Sequence, residues 1–183
     1  MPRLFTALEL PSGVAEALSF LRGGLMGARW IPPENYHITL RFIGDVDVRT
    51  AIEISENLQR LSKPGFQVRL SGLGVFGSKV PHSIHASVES SPELLELHAD
   101  HERIMKRLGI SGDRRKFTPH VTLARCRGSK TVDIARYFAE RGGYFSPSFE
   151  VSRFVLYSSK DSVGGGPYVL EEAYPFTEQS FAA

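Results

Sequence analysis

The chain of 183 residues contains a single cysteine, Cys126, so no disulfide can form within it. No apolar run approaches the roughly 20 residues that a bilayer-spanning helix needs. The N-terminal residues Met1-Pro2-Arg3 lead directly into a strand-like run and lack the pattern of a signal peptide. These absences predict a cytoplasmic protein that has no stabilising disulfide and is not embedded in a membrane.

The chain also has little excess of either charge. With 22 Lys and Arg against 20 Asp and Glu, the formal net charge is +2 and the pI is about 8.8. That balance is too mild for a protein that wraps long nucleic acid, but it is compatible with a local basic groove for a phosphate or an RNA end. The length predicts one domain over residues 1–183, built from two lobes that share a core, and we expect a monomer.

Two short segments share one pattern. Residues 36–40 read Tyr-His-Ile-Thr-Leu, and residues 119–123 read Pro-His-Val-Thr-Leu. In both, polar His and Thr alternate with apolar residues, which predicts a half-buried strand. Because successive side chains of a strand point to opposite faces, each strand presents an imidazole and a hydroxyl side by side. The histidines, His37 and His120, lie 83 positions apart, so each half of the chain carries one motif.

The alternation of the first motif extends to residue 42. It predicts that Arg41 lies on the solvent side of the strand together with His37 and Thr39. The buried side then holds three apolar residues, Ile38, Leu40 and Phe42.

Strand and helix patterns alternate along the rest of the chain. Helices are predicted to follow the capping residues Ser12, Asp47 and Ser91, and a fourth runs from about Val132 to Ala139. Strands are predicted at 3–10, 66–76, 83–88, 149–157 and 168–174. The order predicts an α+β fold, in which two antiparallel sheets flanked by helices are related by a pseudo-twofold. The motif strands then flank a central cleft.

Two histidines facing one cleft suit general acid–base catalysis. An imidazole titrates at about 6.5, so one ring accepts a proton from water while the other donates one to a leaving oxygen. Neighbouring hydroxyl groups and an arginine stabilise negative charge between them. The substrate that matches this set is a phosphodiester.

The doubled His-x-Thr-x (HxTx) motif resembles the 2H phosphoesterase superfamily. The resemblance is closest to the 2′-5′ RNA ligase family, also called RNA 2′,3′-cyclic phosphodiesterases, and runs nearly end to end. It rests on residues 3–11, 30–44, 117–125 and 151–159, with a Gly-Pro-Tyr sequence after the last segment. One strand departs from the family pattern: relatives often carry Arg and Trp after the residue matching Pro81, where this chain reads His-Ser-Ile-His-Ala.

The resemblance implies metal-independent hydrolysis of RNA 2′,3′-cyclic phosphate ends to 2′-phosphomonoesters, without a cofactor, and reversible 2′-5′ ligation. It implies that His37 is the proton donor and His120 the proton acceptor. Three further residues would hold the phosphate: Thr39, Thr122 and Arg125. By strand alternation Arg125 would face away from His120, so its role requires a bulge or a strand end.

Two other functions remain open from the residues alone. The first is a non-catalytic module that binds RNA ends. The second is a metal-dependent phosphohydrolase in which Asp45 or Asp113 joins the two motif histidines. Other histidines carry weaker expectations: His98 and His101 are expected on a solvated or half-buried helix face, and His82 and His85 on opposite strand faces. Cys126 is expected to be a small buried residue.

Overall fold

The computed structural model describes residues 3–112, 114–159 and 165–178. Its helices are α1 Ser12–Ser19, α2 Val48–Gln59, α3 Pro92–Arg107 and α4 Thr131–Arg141, with a short 3₁₀ turn at Pro33–Asn35. Its strands are β1 Arg3–Glu9, β2 Ala28–Trp30, β3 His37–Asp45, β4 Phe66–Val68, β5 Leu70–Phe76, β6 Ser83–Val88, β7 His120–Cys126, β8 Phe149–Val151, β9 Arg153–Ser159 and β10 Val169–Pro175.

One eight-stranded antiparallel sheet dominates the described residues. Its strand order is β10-β9-β1-β3-β7-β6-β5, with β2 beside β7, and a separate small sheet pairs β4 with β8. The motif strands β3 and β7 meet in the middle through a single residue pair, Ile38 and Val121. The predicted α+β class is confirmed. The two predicted sheets correspond to two four-stranded halves that this one pair joins.

Helix caps match the sequence at two of three positions. The side chain of Asp47 accepts a hydrogen bond from Thr50 N at 2.8 Å, and that of Ser91 accepts one from Leu94 N at 3.2 Å. The predicted Ser12 cap is wrong, because Pro11 is the N-cap and no side-chain cap bond forms there. No helix within the described residues is both long and apolar enough to cross a membrane.

The helices cover one face of the sheet. Apolar side chains of α1, α2 and α3 share one buried cluster with residues of both motif strands, and those of α4 share a second cluster with residues of β7. The fully buried members of the first cluster include Leu18, Ile54, Leu58, Leu94, Ile38 and Val121. Burial at roughly 25 cal/mol per Å² of apolar surface makes this face the main source of stability. The opposite face carries the motif histidines and threonines, and we call it the cleft face.

A β-bulge in β3 changes the predicted orientation of its residues. Opposite the adjacent residues Ala7 and Thr6 of β1 stand Thr39 and Arg41, so Leu40 is an extra residue. Alternation resumes one position late, which turns Arg41 into the helix face, where it is 5% exposed. Phe42 turns onto the cleft face and is 61% exposed. The predicted orientations of Arg41 and Phe42 are therefore wrong, and both are reversed.

Helix α3 supports this bulge. His98 donates a hydrogen bond from Nδ1 to the Leu40 carbonyl at 2.9 Å and stacks on Phe117. Glu102 forms an ion pair with Arg41, and Arg41 donates from Nη2 to the Ser111 carbonyl at 2.7 Å. The buried guanidinium therefore has both a countercharge and a carbonyl acceptor, which a buried cation requires.

Candidate active site

The two motif histidines are held in the same way. His37 donates from Nδ1 to the Asn35 carbonyl at 2.9 Å, and His120 donates from Nδ1 to the Thr118 carbonyl at 2.7 Å. In each case the acceptor lies two residues before the histidine. We assign the Nδ1–H tautomer to both neutral rings, because a carbonyl can only accept. Each ring therefore keeps its lone pair on Nε2.

The single pair between the motif strands sets how the two motifs meet. Because Ile38 lies opposite Val121 in an antiparallel ladder, one step either way sets His37 against Thr122 and Thr39 against His120. Diagonal neighbours in such a ladder lie roughly 7–8 Å apart. The two imidazoles are diagonal neighbours, and the charge of His120 contributes to lowering the pKa of His37. The structure thus brings together four of the five predicted site residues.

Arg125, the fifth, reaches the same face through a second bulge. Opposite the adjacent residues Ile84 and His85 of β6 stand Ala124 and Thr122, so Leu123 is an extra residue of β7. This is the bulge that the predicted role of Arg125 required. The exposed Arg125 lies close enough that its positive charge helps to lower the pKa of both His37 and His120.

Aromatic rings enclose the first imidazole. His37 packs against Phe5 at 5.1 Å, Tyr168 at 5.1 Å and Tyr157 at 6.1 Å between ring centroids. Its Nε2 lies 3.1 Å from the hydroxyl of Thr39. Burial among these rings lowers the pKa of His37 to about 4, against the weaker opposing effect of the Asn35 carbonyl. The free protein therefore holds this imidazole in its neutral form at neutral pH.

A third histidine lines the cleft beside the second imidazole. The His85 ring is 5.1 Å from the ring of His120 and stacks on Phe76 at 4.3 Å. It lies directly over Gly74, where an added Cβ would come within 2.4 Å of His85 Nε2. Burial lowers the pKa of His85 to about 4 and also lowers that of His120. His85 is absent from the site residues predicted from the sequence, although its place in the predicted strand 83–88 was a usable signal.

The expectation for His82 and His85 is wrong. Phe76 stacks on both rings, with its centroid 6.4 Å from that of His82, so the two histidines lie on the same side. Strand alternation does not apply to the pair, because His82 precedes β6.

The candidate metal ligand Asp45 lies away from the histidines. It is the last residue of β3, whereas His37 is the first, and eight strand steps span roughly 26 Å. Asp45 instead pairs with Arg3 at 3.3 Å. Asp113 lies outside the described residues. Within the described ranges, no group of three or more His, Cys, Asp or Glu residues is arranged to hold a metal ion.

Of the remaining expectations, a buried Cys126 and a half-buried His98 are confirmed, whereas a solvated or half-buried His101 is wrong. Cys126 is buried, as predicted, and burial raises the pKa of its thiol. His98 is part-buried on α3, whereas His101 is fully buried and donates from Nδ1 to the Leu97 carbonyl at 2.7 Å. Burial lowers the pKa of His101 to about 4.

The turn before β10 contacts the first motif. Asn35 donates from its side chain to the Gly165 carbonyl at 2.9 Å, and its own carbonyl holds His37. Gly165 in turn donates from its backbone N to the hydroxyl of Tyr168, whose ring packs on His37. The C-terminal hairpin is thus part of the wall around the first imidazole.

Comparison with known families agrees with this geometry. The family model named LigT like Phosphoesterase matches twice, over residues 8–85 and 86–168. The chain belongs to this family. The two consecutive matches divide the chain into halves that each contain one motif histidine, which supports an internal repeat. The resemblance to the 2H phosphoesterases is therefore confirmed.

Individual relatives are similar over most of the chain. A protein of Aquifex aeolicus named RNA 2′,3′-cyclic phosphodiesterase is 36% identical over 160 residues, covering 82% of each chain. A Thermotoga maritima protein of the same name is 33% identical over 164 residues, covering 86% of each. The crystal structure of TT0787 of Thermus thermophilus matches with a TM-score of 0.83 at 25% identity, covering 97% of this chain and 99% of that one.

Proposed function

We propose that this protein hydrolyses RNA 2′,3′-cyclic phosphate ends to 2′-phosphomonoesters, with His37 as proton donor and His120 as proton acceptor. The observation that carries the proposal is the matched pair of Nδ1–H bonds, which leaves Nε2 of both rings as the proton-transfer atom, with Nε2 of His37 also in contact with the Thr39 hydroxyl. The relatives named RNA 2′,3′-cyclic phosphodiesterase support the same substrate class.

The proposed step balances with two proton transfers. A water oxygen attacks phosphorus and gives its proton to Nε2 of His120, while the bond from phosphorus to the 3′-oxygen breaks. The 3′-oxygen takes a proton from Nε2 of His37. The products are a 2′-phosphomonoester and a free 3′-hydroxyl group. Each such transfer typically contributes about 10²–10⁴-fold to the rate.

The remaining predicted residues hold the anion. Arg125 supplies a positive charge, and the hydroxyl groups of Thr39 and Thr122 donate hydrogen bonds to phosphate oxygens. Burial and the charges of His120 and Arg125 lower the pKa of His37 in the free protein. A bound phosphodiester anion offsets the charge of Arg125 and raises that pKa, so substrate binding itself favours the protonated donor. The side chains of the site supply every step, and the proposal includes no metal.

The same site also accommodates ligation. If the 5′-hydroxyl group of a second RNA occupies the place of the attacking water, loss of its proton to His120 and cleavage of the bond to the 3′-oxygen yield a 2′-5′ linkage. The reaction is reversible because the phosphodiester count does not change.

The test is the product formed from an oligonucleotide that ends in a 2′,3′-cyclic phosphate, in buffer containing EDTA. We expect a 2′-phosphate end, identified against synthetic 2′- and 3′-phosphate standards. A 3′-phosphate product would overturn the proposed orientation of donor and acceptor. Binding without turnover would support the RNA-end binding module instead, and activity lost in EDTA but restored by a divalent metal would support a metal-dependent phosphohydrolase.

A further inference from the structure

A third imidazole packs beside the proposed proton acceptor. The His85 ring of β6 lies 5.1 Å from the His120 ring between centroids. Phe76 of β5 stacks on His85 at 4.3 Å and packs on His120 at 4.8 Å. His85 is only 6% exposed, whereas His120 is half-buried. The rings of His85 and Phe76 therefore form one wall against the second imidazole, which we call the acceptor wall.

The first imidazole has an aromatic wall at a position where the second has none. Phe5 packs on His37 and stands opposite Phe42 in the ladder of β1 with β3. Arg125 corresponds to Phe42, because each lies two residues after the bulge of its motif strand, and Arg125 stands opposite Ser83 of β6. Because Ser83 has no ring, this position supplies no aromatic wall to the second imidazole.

His85 supplies a ring from the next cleft-facing position of β6. It stands opposite Thr122, as Ala7 of β1 stands opposite Thr39. The imidazole fits because Gly74, its partner on β5, has no side chain. Where the first half of the sheet has a small residue, the second half thus has an imidazole and the space to hold it.

The His85 ring is neutral and is held by packing. Its Nδ1 is buried, and no described residue forms a hydrogen bond with it. Burial and the charge of His120 lower the pKa of His85 to about 4, so the ring is uncharged at neutral pH. It therefore places no second positive charge beside an acceptor that must itself take up a proton.

The other groups around His120 lie on different sides of it. Arg125 follows it on β7, and His37 lies diagonally on β3. The Thr118 carbonyl accepts from Nδ1 of His120 at 2.7 Å. Burial is the largest cause of the lowered pKa of His120, ahead of the charge of Arg125. The acceptor wall supplies that burial on the β6 side.

We propose that His85 is a positioning residue for the proton acceptor: stacked on Phe76, its ring holds the His120 imidazole in place and keeps water from the β6 side of it. The inference rests on the proposed function and adds a residue that acts through His120. The Thr118 carbonyl holds one edge of the acceptor ring, and the acceptor wall holds its plane, so Nε2 stays directed at the attacking water. A displacement of about 1 Å at such a group can cost about 10²-fold in rate.

The experiment combines NMR titration of His120 with kcat, KM and the pH profile on an oligonucleotide that ends in a 2′,3′-cyclic phosphate. His85→Ala should raise the pKa of His120, because water then reaches the ring. It should also lower kcat by about 10- to 100-fold with little change in KM. The acid limb of the kcat/KM profile should move to higher pH, since the acceptor must be deprotonated in the free enzyme.

Two further variants separate positioning from other roles. His85→Phe keeps a ring and breaks no hydrogen bond at Nδ1, so it should retain the wild-type pKa of His120 and a kcat close to wild type. His82→Ala is the matched control, because His82 is exposed and stacks on the same Phe76 ring at 6.4 Å, and it should also match wild type. A loss in His85→Phe as large as that in His85→Ala would assign the effect to an imidazole nitrogen and overturn the positioning role. Wild-type values of both the pKa and kcat in His85→Ala would equally overturn it.

Gly74→Ala tests the acceptor wall with His85 still present. The added Cβ would come within 2.4 Å of His85 Nε2, and the ring must shift from its stack on Phe76. Gly74→Ala should therefore lower kcat by itself and cause no further loss when combined with His85→Ala. Equal losses in the two backgrounds would refute the inference.

The two proposals can fail separately. Wild type without turnover would end the proposed function. The titration of the substrate-free protein then decides the inference about His85. A raised pKa of His120 in His85→Ala, but not in His85→Phe or His82→Ala, supports it, and an unchanged pKa in His85→Ala refutes it.

Discussion

Leu40 and Leu123 are the extra residues of two β-bulges that occupy the same position in the two motif strands, 83 residues apart. Each bulge shifts the alternation of its strand by one residue. In β7 this brings Arg125 to the face that holds His120 and Thr122. In β3 it buries Arg41 and exposes Phe42. The composition of the cleft therefore depends on the two bulges as much as on the motifs.

Removal of the Arg125 charge should affect both imidazoles. Because the guanidinium contributes to lowering the pKa of His37 and His120, Arg125→Ala should raise both values. Histidine titrations by NMR measure this shift without any substrate. Activity should also fall by about 10- to 150-fold, as expected for loss of a charge-assisted contact of roughly 1.5–3 kcal/mol, and Arg125→Lys should recover part of it.

The control for that prediction is Arg127→Ala. Arg127 is an exposed arginine immediately after β7, and its removal should leave both titrations and the activity unchanged. Histidine pKa values that do not move in Arg125→Ala would show that Arg125 does not face the cleft.

The ion pair beneath the β3 bulge should stabilise the fold. Glu102→Ala leaves the guanidinium of Arg41, whose side chain is 5% exposed, without its countercharge. Breaking a buried pair costs roughly 3–5 kcal/mol, and we expect about 2–3 kcal/mol here because Glu102 is partly exposed. Urea unfolding measures the change. Arg49→Ala breaks the exposed Arg49–Glu53 pair and should cost less than about 0.5 kcal/mol. Equal losses in the two variants would contradict a supporting role for Glu102.

The buried His101 should make stability depend on pH. Its pKa is about 4 in the folded protein, against about 6.5 in the unfolded chain. Between these values the unfolded state binds a proton that the folded state does not, so the free energy of unfolding falls as pH falls from 6.5 towards 4. One such group contributes about 1.4 kcal/mol per pH unit within that window.

His101→Leu tests this dependence through urea unfolding at several pH values. Between pH 5 and 6, the free energy of unfolding of the variant should depend on pH less steeply than that of wild type. The difference should correspond to about one proton fewer taken up on unfolding. Met105→Leu, a volume-conserving change at another fully buried position of α3, removes no titratable group and should keep the wild-type slope. A slope in His101→Leu that equals the wild-type slope would show that His101 does not titrate differently on folding.

The sequence predicted the parts of the site that follow from alternation within one strand. His37 with Thr39, and His120 with Thr122, share a face because no extra residue separates them. The bulge at Leu123 was required in advance by the expected role of Arg125. The bulge at Leu40 was not predicted, because Leu-Arg-Phe continues a regular polar and apolar alternation. A bulge assumed also at the equivalent position of the first motif, 83 residues earlier, would have assigned Phe42 to the cleft face.

Contacts between distant segments could not be predicted in this way. His85 meets His120 from the neighbouring strand β6, and its ring fits there because Gly74 has no side chain. Asn35 meets Gly165 only after the C-terminal hairpin has folded back onto the first motif. Neither contact leaves a periodic signal, because each depends on strand register and on packing between segments far apart in the chain.

The most direct test of the two-histidine site is the single-turnover rate of His37→Ala and His120→Ala on an oligonucleotide with a 2′,3′-cyclic phosphate end. We expect each variant to lose about 10²–10⁴-fold or more while its circular dichroism and unfolding midpoint confirm a folded protein. Asp45→Asn, which alters the far end of β3, should retain the wild-type rate. A wild-type rate in folded His37→Ala or His120→Ala would contradict the account.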